Sequence, residues 1–326
     1  MFLAESPDTP GYVALKRLLP HAEEDSDSVS LFLSEAAVGQ RLQHPNVVQV
    51  LSHGFVGPSP YIAYAYVAGE TLASLIKALV HRKKRLDDVA VASIALQLAE
   101  GLAYVHNACG DDGHPMDIVH RDLTPGNVMI SPDGTVCILD FGIATYTGRD
   151  HLTGPGIRKG KAAYMSPEQI RGEALDPRSD IFTFGVVLME LATATRLFKE
   201  DDVLRTFERI ENVDIPQASP PPGSLEGMIR RCLARDREER PGLVLDVIPC
   251  MKGAIDSADG HDPNGALTEV YERYLSTPEG TLPGYPIRSG LPSSAEERGE
   301  ETTDQQEHSD ITLMGESPYN RPPRDD

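Results

Sequence analysis

The chain has 326 residues, 40% of them hydrophobic and 25% charged, a composition typical of a globular protein with one large domain or two modest ones. Its net charge of −20 argues against binding to nucleic acid, although half of the excess lies from Asp259 onward, where fifteen acidic residues stand against five basic ones. Four scattered cysteines without a C-x-x-C pair predict free thiols in a reducing compartment. Because neither a secretory leader nor an apolar run of membrane-spanning length is visible, we expect a cytoplasmic protein without a membrane span.

The first part of the chain alternates β-favouring runs with one helix. Gly11–Leu19 predicts an apolar strand that carries Lys16, and Val29–Leu42 has helical periodicity with Glu35 in its middle. A lysine in a strand is usually a surface residue, and a glutamate within a helix usually faces solvent, so neither predicts a function alone. Two further strands are expected at Val47–Phe55 and Tyr61–Val67, joined by a Gly/Pro-rich turn.

The stretch Ile118–Gly142 holds the densest set of chemically useful side chains. Two short β-favouring runs bracket a polar loop with Asp122 and Asn127, and a Pro-Asp-Gly turn then leads to Asp140. A carboxylate that can accept a hydroxyl proton and two oxygen ligands for Mg²⁺ therefore lie within nineteen residues. Phosphoryl transfer needs this combination of groups.

From Thr71 to Ala254 the sequence predicts a mainly helical region. The polar, Gly-rich segment between Gly142 and Lys161 has the composition of a mobile loop. The basic run His81–Arg85 lacks interleaved aromatic residues, so it is more typical of a solvated helix end than of a nucleic-acid site. Helices are expected from Thr71 to Val80 and at Val89–Asn107, Ile181–Ala192, Leu225–Ala234 and Gly242–Ala254.

Five short motifs follow one another along the chain: V-A-L-K at Val13–Lys16, H-R-D-L-T-P-G-N at His120–Asn127, D-F-G at Asp140–Gly142, Y-M-S-P-E-Q at Tyr164–Gln169 and D-I-F-T-F-G at Asp180–Gly185. With these motifs, residues 1–257 resemble the bacterial, eukaryotic-like (Hanks-type) serine/threonine protein kinases. That resemblance implies an α+β, bilobal fold with a small β-rich N-lobe (residues 1–67) and a helical C-lobe (residues 68–257). Small-molecule phosphotransferases share a similar catalytic loop but generally lack the C-lobe motifs.

The resemblance implies a role in ATP and Mg²⁺ binding for each motif residue. Lys16 would contact the α- and β-phosphates and pair with Glu35, while Asp122 would act as the catalytic base. Asn127 and Asp140 would bind Mg²⁺. Ala14 and the backbone of Ala65 to Val67 would face the adenine, and Tyr64 would lie at the rear of the pocket. Met129 is a further ATP-binding residue by the same resemblance.

Regulatory roles follow from the same resemblance. A phosphorylated threonine after Gly142 would pair with Arg121, whose guanidinium matches phosphate geometry, and we prefer Thr153 for this role over Thr145 and Thr147. Phe141 would belong to the stack of apolar side chains that supports the active arrangement.

Three residues of the C-lobe are expected to act as structural supports. Asp180 would accept hydrogen bonds from the backbone of the catalytic loop. Glu168 would form a buried ion pair with Arg240, which fixes the architecture without taking part in the chemistry.

One departure from the family pattern concerns the catalytic loop. Thr124 stands at the second position after Asp122, where serine/threonine kinases usually have a lysine that steadies the transferred phosphate. Lys161, after Gly160, stands where they usually have a threonine. Because the two changes are reciprocal, we hypothesise that Lys161 brings its ammonium group to the active site as a catalytic residue.

Two further departures lie in the N-lobe. Family helices usually have a bulky apolar residue four positions after Glu35, so Gly39 predicts either a void, costing about 2–4 kcal/mol, or a neighbour that fills the space. Phe2–Gly11 resembles the second strand of the lobe, and no glycine precedes Gly11. The chain as given therefore lacks the first strand and the Gly-rich loop that covers ATP phosphates, which we interpret as a start placed too late.

Residues 258–326 differ in character from the rest of the chain. Pro, Gly, Ser, Thr and acidic residues dominate this tail. We expect a short helix at residues 267–275 that docks on the domain, and disorder from Thr277 to Asp326.

The sequence thus predicts an enzyme that uses ATP and Mg²⁺ to phosphorylate serine or threonine hydroxyls on a protein substrate, and on itself, in bacterial signalling. The alternative is a pseudokinase, a non-catalytic binding or scaffold domain. Absence of the Gly-rich loop favours this alternative. Retention of the catalytic and binding residues argues against it: Lys16, Glu35, Asp122, Asn127 and Asp140.

Overall fold

The computed structural model describes residues 1–6, 9–18, 20–140, 159–213, 225–257, 262–276 and 312–316. These residues form two lobes. The smaller lobe is built on an antiparallel β-sheet with one long helix, and the larger is built mainly from helices.

The sheet of the small lobe places two functional candidates on one face. Along the second strand, Val13 and Leu15 are buried on one side, so Ala14 and Lys16 point to the other, where Ala14 packs with the long helix. Four of the strands, in the spatial order β3-β4-β2-β1, come from the start of the chain: β1 (Phe2–Ser6), β2 (Thr9–Arg17), β3 (Val50–Val56) and β4 (Ser59–Ala65).

The long helix of the small lobe, α2 (Ser26–Arg41), follows the single-turn helix α1 (Pro20–Glu23). Asp25 caps α2 by accepting a hydrogen bond from Ser28 N at 3.2 Å. Phe32 and Ala36 bury the apolar face of the helix against the sheet. Glu35 lies on the same face and is only 4% exposed, so the packing of α2 brings a carboxylate beneath β2.

A second, three-stranded sheet holds the central loop. Its order is β5-β6-β7, from β5 (Glu70–Thr71), β6 (Val128–Ile130) and β7 (Val136–Ile138). Leu139 N donates to Asn127 O at 2.8 Å across the open end of the β6–β7 hairpin. The hairpin therefore places Asn127, before β6, close to Asp140, after β7.

The larger lobe is built around two helices with mostly buried side chains, α4 (Asp88–His106) and α7 (Pro177–Thr193). Within the described part of the chain, α4 is long and apolar enough to cross a membrane, but 72% of it is buried inside the lobe, as in a core helix. The predicted helix Gly242–Ala254 is a 3-10 turn followed by α10, because Pro249 suits only the first turn of a helix. The other helices are α3 (Leu72–Arg82), α5 (Lys159–Ala162), α6 (Pro167–Arg171), α8 (Val203–Asn212), α9 (Glu226–Cys232) and α10 (Ile248–Asp256).

The last helix, α11 (Pro263–Tyr274), extends the folded unit beyond the predicted boundary at residue 257. Its side chains Leu267, Val270 and Tyr271 belong to the core of the larger lobe. It also packs against the β6–β7 turn, where an added Cβ on Gly134 would come within 2.6 Å of Asn264 O. Apolar spacing in the sequence indicated this helix but could not show that the lobe needs it to cover its core.

One strand in the tail was not predicted. The strand β8 (Thr312–Glu316) pairs antiparallel with β1, so that Phe2 lies opposite Glu316, and the sheet order becomes β3-β4-β2-β1-β8. The prediction of disorder from Thr277 to Asp326 is therefore wrong for these five residues. Composition could not reveal this pairing, because an edge strand pairs through its backbone N–H and C=O groups, and strands of many different sequences can bond to these groups.

Candidate active site

A cleft of about 720 Å³ lies between the two lobes. Its wall includes Asn127, Asp140 and Lys161 as well as apolar side chains from both lobes. Five of the predicted ATP-binding residues line this cleft: Ala14, Tyr64, Ala65, Val67 and Met129. The apolar lining and the polar groups at one end suit a ligand with a flat base and a charged tail.

An ion-pair cluster at the back of the cleft joins β2, α2 and the β6–β7 hairpin. Lys16 Nζ lies 2.8 Å from Glu35 Oε1 and 3.3 Å from Asp140 Oδ1. The Tyr64 hydroxyl donates to the same Glu35 oxygen at 3.3 Å. Burial by itself would lower the pKa of Lys16, but the charges of Asp140 and Glu35 outweigh it and raise this pKa above its ordinary value. Lys16 is therefore held as a cation.

The loop before β6 brings two polar side chains together. Asn127 Nδ2 donates to Asp122 O at 2.8 Å and to Asp122 Oδ2 at 3.0 Å. Asn127 itself ends a short 3-10 turn that begins at Pro125. Because both amide hydrogens of Asn127 point at Asp122, its amide oxygen is left to face other partners.

A buried carboxylate from α7 holds the start of this loop. Asp180 accepts hydrogen bonds from His120 N at 2.7 Å and Arg121 N at 2.9 Å, and His106 Nε2 lies 2.8 Å away. These partners keep the pKa of Asp180 below its ordinary value although burial would raise it. Arg121 has a φ of 66°, a left-handed conformation that is costly for a side chain with a Cβ. The Asp180 bonds offset that cost.

The second predicted support is also formed. Arg240 Nη1 and Nη2 donate to Glu168 Oε1 at 2.7 Å and Oε2 at 2.9 Å, with both side chains buried. Ser179 donates to Glu168 Oε1 at 2.7 Å. This two-point pair ties α6 to the segment that follows α9.

Lys161 contacts Asp122. Its ammonium group forms an ion pair with Asp122 Oδ2, the same oxygen that Asn127 approaches. Thr124, the other half of the reciprocal change, is buried and lines the cleft. A segment forty residues further along the chain thus delivers a cation to the predicted catalytic loop.

The space beside Gly39 is filled. A Cβ built at Gly39 would lie 2.6 Å from Val50 Cγ2, so the Val50 side chain on β3 occupies the volume that a larger residue on α2 would take. Val50 is itself buried. Of the two alternatives for this position, the structure has the filled one, and no void needs to be assumed.

Two predicted site residues, Phe141 and Thr153, lie outside the described residues, as do Thr145 and Thr147. Sequence reasoning missed Gln169, whose Nε2 donates to Arg121 O at 2.9 Å and ties α6 to the catalytic loop. It also missed Arg196 and Lys199, which line the cleft from the loop after α7. Gln169 closes the Y-M-S-P-E-Q motif, but the motif does not show its bond to the catalytic loop. No motif marks Arg196 or Lys199, because their place in the cleft depends on how the C-lobe folds.

Residues 2–248 match the protein kinase domain family. The tyrosine-protein kinase MasK of Myxococcus xanthus is 34% identical over 247 residues, which cover 74% of this chain and 38% of that protein. A probable serine/threonine-protein kinase of Clostridium acetobutylicum is 33% identical over 233 residues, covering 70% of this chain and 34% of that protein. The probable serine/threonine-protein kinase PknB of Bifidobacterium longum is 30% identical over 295 residues, covering 84% and 41%.

The chain belongs to the protein kinase domain family, and the bilobal α+β fold predicted from its motifs is confirmed. It spans less than half the length of these three relatives, at 38%, 34% and 41%. The matched region ends at residue 248, the first residue of α10, and so before α11.

Proposed function

We propose that this domain transfers the γ-phosphoryl group of ATP to serine or threonine hydroxyls of proteins. The observation that carries the proposal is the convergence of two polar clusters on one cleft, Lys16 with Glu35 and Asp140, and Asp122 with Asn127. Membership of the protein kinase family supports it, as do relatives named serine/threonine-protein kinases. No feature of the described residues favours the pseudokinase alternative.

In this proposal the back of the cleft binds ATP. Lys16, held as a cation by Glu35 and Asp140, contacts the phosphates. The adenine lies against the apolar wall of the cleft, where backbone groups of Ala65 and Val67 can pair with its edge. A preformed pair at Lys16 positions the triphosphate without reorganisation during transfer.

Asn127 and Asp140 fit a magnesium site. Both offer oxygen atoms, the ligands that Mg²⁺ prefers, and both line the cleft. Among the described residues no three His, Cys, Asp or Glu side chains gather, but Mg²⁺ bound with ATP commonly takes only one or two protein ligands besides phosphates and water. An ion held by Asn127 and Asp140 would supply positive charge that offsets the charge of the phosphates.

Asp122 is proposed as the base that accepts the proton of the acceptor hydroxyl while the phosphoryl group moves in line. Asn127 orients its carboxylate, and Lys161 beside it steadies the negative charge of the transferred group. Because the chain offers Thr124 where the family usually has lysine, Lys161 supplies the cation from the segment that precedes α6.

Asp122→Asn tests this assignment. With radiolabelled ATP, we expect transfer to a generic protein substrate, and to the domain itself, to fall by about 10²–10⁴-fold, the contribution of a positioned base. Asp256→Asn, an exposed change on α10, is the matched control and should leave transfer unchanged. Surviving activity in Asp122→Asn would refute the assignment.

Analysis of the labelled amino acid should find phosphoserine or phosphothreonine, and phosphotyrosine alone would contradict the proposed specificity.

Regulation, partners and location of the domain are part of the same proposal. Pairing of phosphorylated Thr153 with Arg121 remains a prediction, as does the part of Phe141 in the supporting stack. The partner class is a protein with an acceptor serine or threonine rather than a nucleic acid, in keeping with the net charge of −20. Free cysteines and the use of ATP support a cytoplasmic location of the domain.

A further inference from the structure

Three basic side chains line one part of the cleft, in a chain whose net charge is −20. Lys161, Arg196 and Lys199 line this part together with Tyr164. Among the described residues that line the cleft, Asp140 is the only acidic one. Arg196 and Lys199 lie on the loop after α7, and the proposed transfer reaction has no use for either of them.

Arg196 is held in place by a buried carboxylate. Its Nη1 lies 3.0 Å from Glu190 Oε2 and also contacts the Tyr164 hydroxyl, which donates to the same oxygen at 2.7 Å. The other oxygen of Glu190 accepts from Leu197 N at 3.0 Å. Glu190 is fully buried, and donors of its own chain satisfy both of its oxygens. A basic side chain of a peptide could reach Glu190 only by displacing Arg196.

Positive charge nevertheless remains accessible at this end of the cleft. The Arg196 side chain is 41% exposed although its tip is bonded to Glu190. Lys199 is exposed, and no carboxylate of the described residues lies within ion-pair distance of it. A lysine on a flexible stem can follow a negative group brought by a bound molecule.

We propose that Arg196 and Lys199 form an acidic-acceptor subsite, which binds aspartate or glutamate side chains next to the acceptor hydroxyl of the protein substrate. The proposal rests on the proposed kinase function and names its substrate class. An acidic side chain gains an ion pair with Lys199, whereas a basic one is repelled by Lys199 and Arg196.

The test compares three synthetic peptides with one central serine and flanks of aspartate, glutamine or lysine. The intact domain should phosphorylate the aspartate peptide with a kcat/KM about fivefold above the glutamine peptide, the range of one or two exposed ion pairs, and further above the lysine peptide. Lys199→Glu should remove or reverse this order while the KM for ATP stays unchanged. Lys252→Glu, an exposed lysine on α10 far from the cleft lining, is the matched control and should keep the order.

Two results would overturn the subsite. One is equal kcat/KM for the three peptides, or a preference for lysine flanks. The other is a Lys199→Glu variant with a raised KM for ATP and an unaltered peptide order, which would assign these cations to the nucleotide. Failure to label any peptide or the domain itself would overturn the proposed kinase function, and the subsite with it. Transfer without dependence on flank charge overturns the subsite alone.

Discussion

Single residues at the cleft show how one missing side chain can be replaced from elsewhere in the chain. Asp122 Oδ2 accepts a hydrogen bond from Asn127 of the same loop. Lys161, from a distant segment, forms an ion pair with the same oxygen. Thr124, two positions after Asp122, has a neutral side chain and brings no charge there. The cation beside the proposed base thus depends on the position of the segment that carries Lys161.

Lys161→Met should lower kcat by about 10²–10³-fold, the usual cost of removing one group that stabilises developing charge, and leave the KM for ATP unchanged. Steady-state kinetics at varied ATP concentration measures both quantities. The double change Lys161→Thr with Thr124→Lys should recover much of the lost kcat, because it returns the cation to the catalytic loop. Lys252→Met serves as a control on an exposed lysine, and a normal kcat in Lys161→Met would contradict the role.

Sequence reasoning at this scale succeeded where chemistry and spacing coincide. Lys16, Glu35, Asp122, Asn127 and Asp140 stand in motifs, and the fold gathers them. Lys161 was found because its change is reciprocal with that of Thr124. Arg196 and Lys199 could not be found, since exposed basic residues occur throughout the sequence. The motif at Tyr164–Gln169 includes Gln169, but only the packing of α6 shows that this side chain bonds the catalytic loop.

At the scale of secondary-structure elements, the contact between α2 and β3 decides how Glu35 is held. Gly39 lets α2 approach β3 so closely that the Val50 side chain enters the space above the glycine. The ion pair of Glu35 with Lys16 lies one helical turn away on the same face. Support for that pair therefore comes from the β-strand side of the contact rather than from the helix.

Gly39→Ala should lower the free energy of unfolding by about 1–3 kcal/mol, because its Cβ meets Val50 Cγ2 and overpacks the contact. Val50→Ala makes room for that Cβ, so the double variant should be more stable than the sum of the single effects by about 0.5–3 kcal/mol. Urea unfolding measures all three variants.

A matched control exists on α10. A Cβ at Gly253 would meet no atom within 4 Å, so Gly253→Ala should be neutral or stabilise by up to about 1 kcal/mol. Simple additivity of Gly39→Ala and Val50→Ala would mean that the two positions do not share one space.

At the scale of the whole molecule, α11 defines where the folded unit ends. Its buried side chains join the core of the larger lobe, and Gln97 Nε2 links α4 to the β6–β7 turn through Gly134 O at 2.9 Å. The helix lies outside the region that matches the kinase family, and it covers part of the core of the larger lobe.

A chain that ends at residue 261 should unfold at a lower urea concentration than one that ends at residue 276. Four side chains of this region are buried: Leu267, Val270, Tyr271 and Leu275. The burial of each adds about 1.5–3 kcal/mol to the free energy of unfolding, offset in part by the entropy of ordering the helix. The chain that ends at residue 276 also lacks β8, so its comparison with the full chain isolates the effect of that strand. Equal midpoints for the two shortened chains would show that α11 is dispensable.

The limits of sequence prediction at this scale are physical. Apolar periodicity predicted α3, α4, α7, α9 and part of α10 and α11, because one buried face repeats along each helix, but it did not predict α8. The strand Thr312–Glu316 could not be predicted, since its pairing with β1 involves partners more than three hundred residues apart. Sequence alone could likewise not show that Val50 fills the space beside Gly39, because this depends on the distance between α2 and β3.

The Asp180 contacts have a consequence for the order of folding during synthesis. His120 and Arg121 are made about sixty residues before the carboxylate that accepts their amide hydrogens. At about 5–20 residues per second, the ribosome needs several seconds to supply Asp180 after the loop has emerged. Arg240, the partner of Glu168, follows later still. The segment proposed to carry out the chemistry lies in the first half of the chain and is synthesised early, yet it is one of the last segments to reach its final geometry.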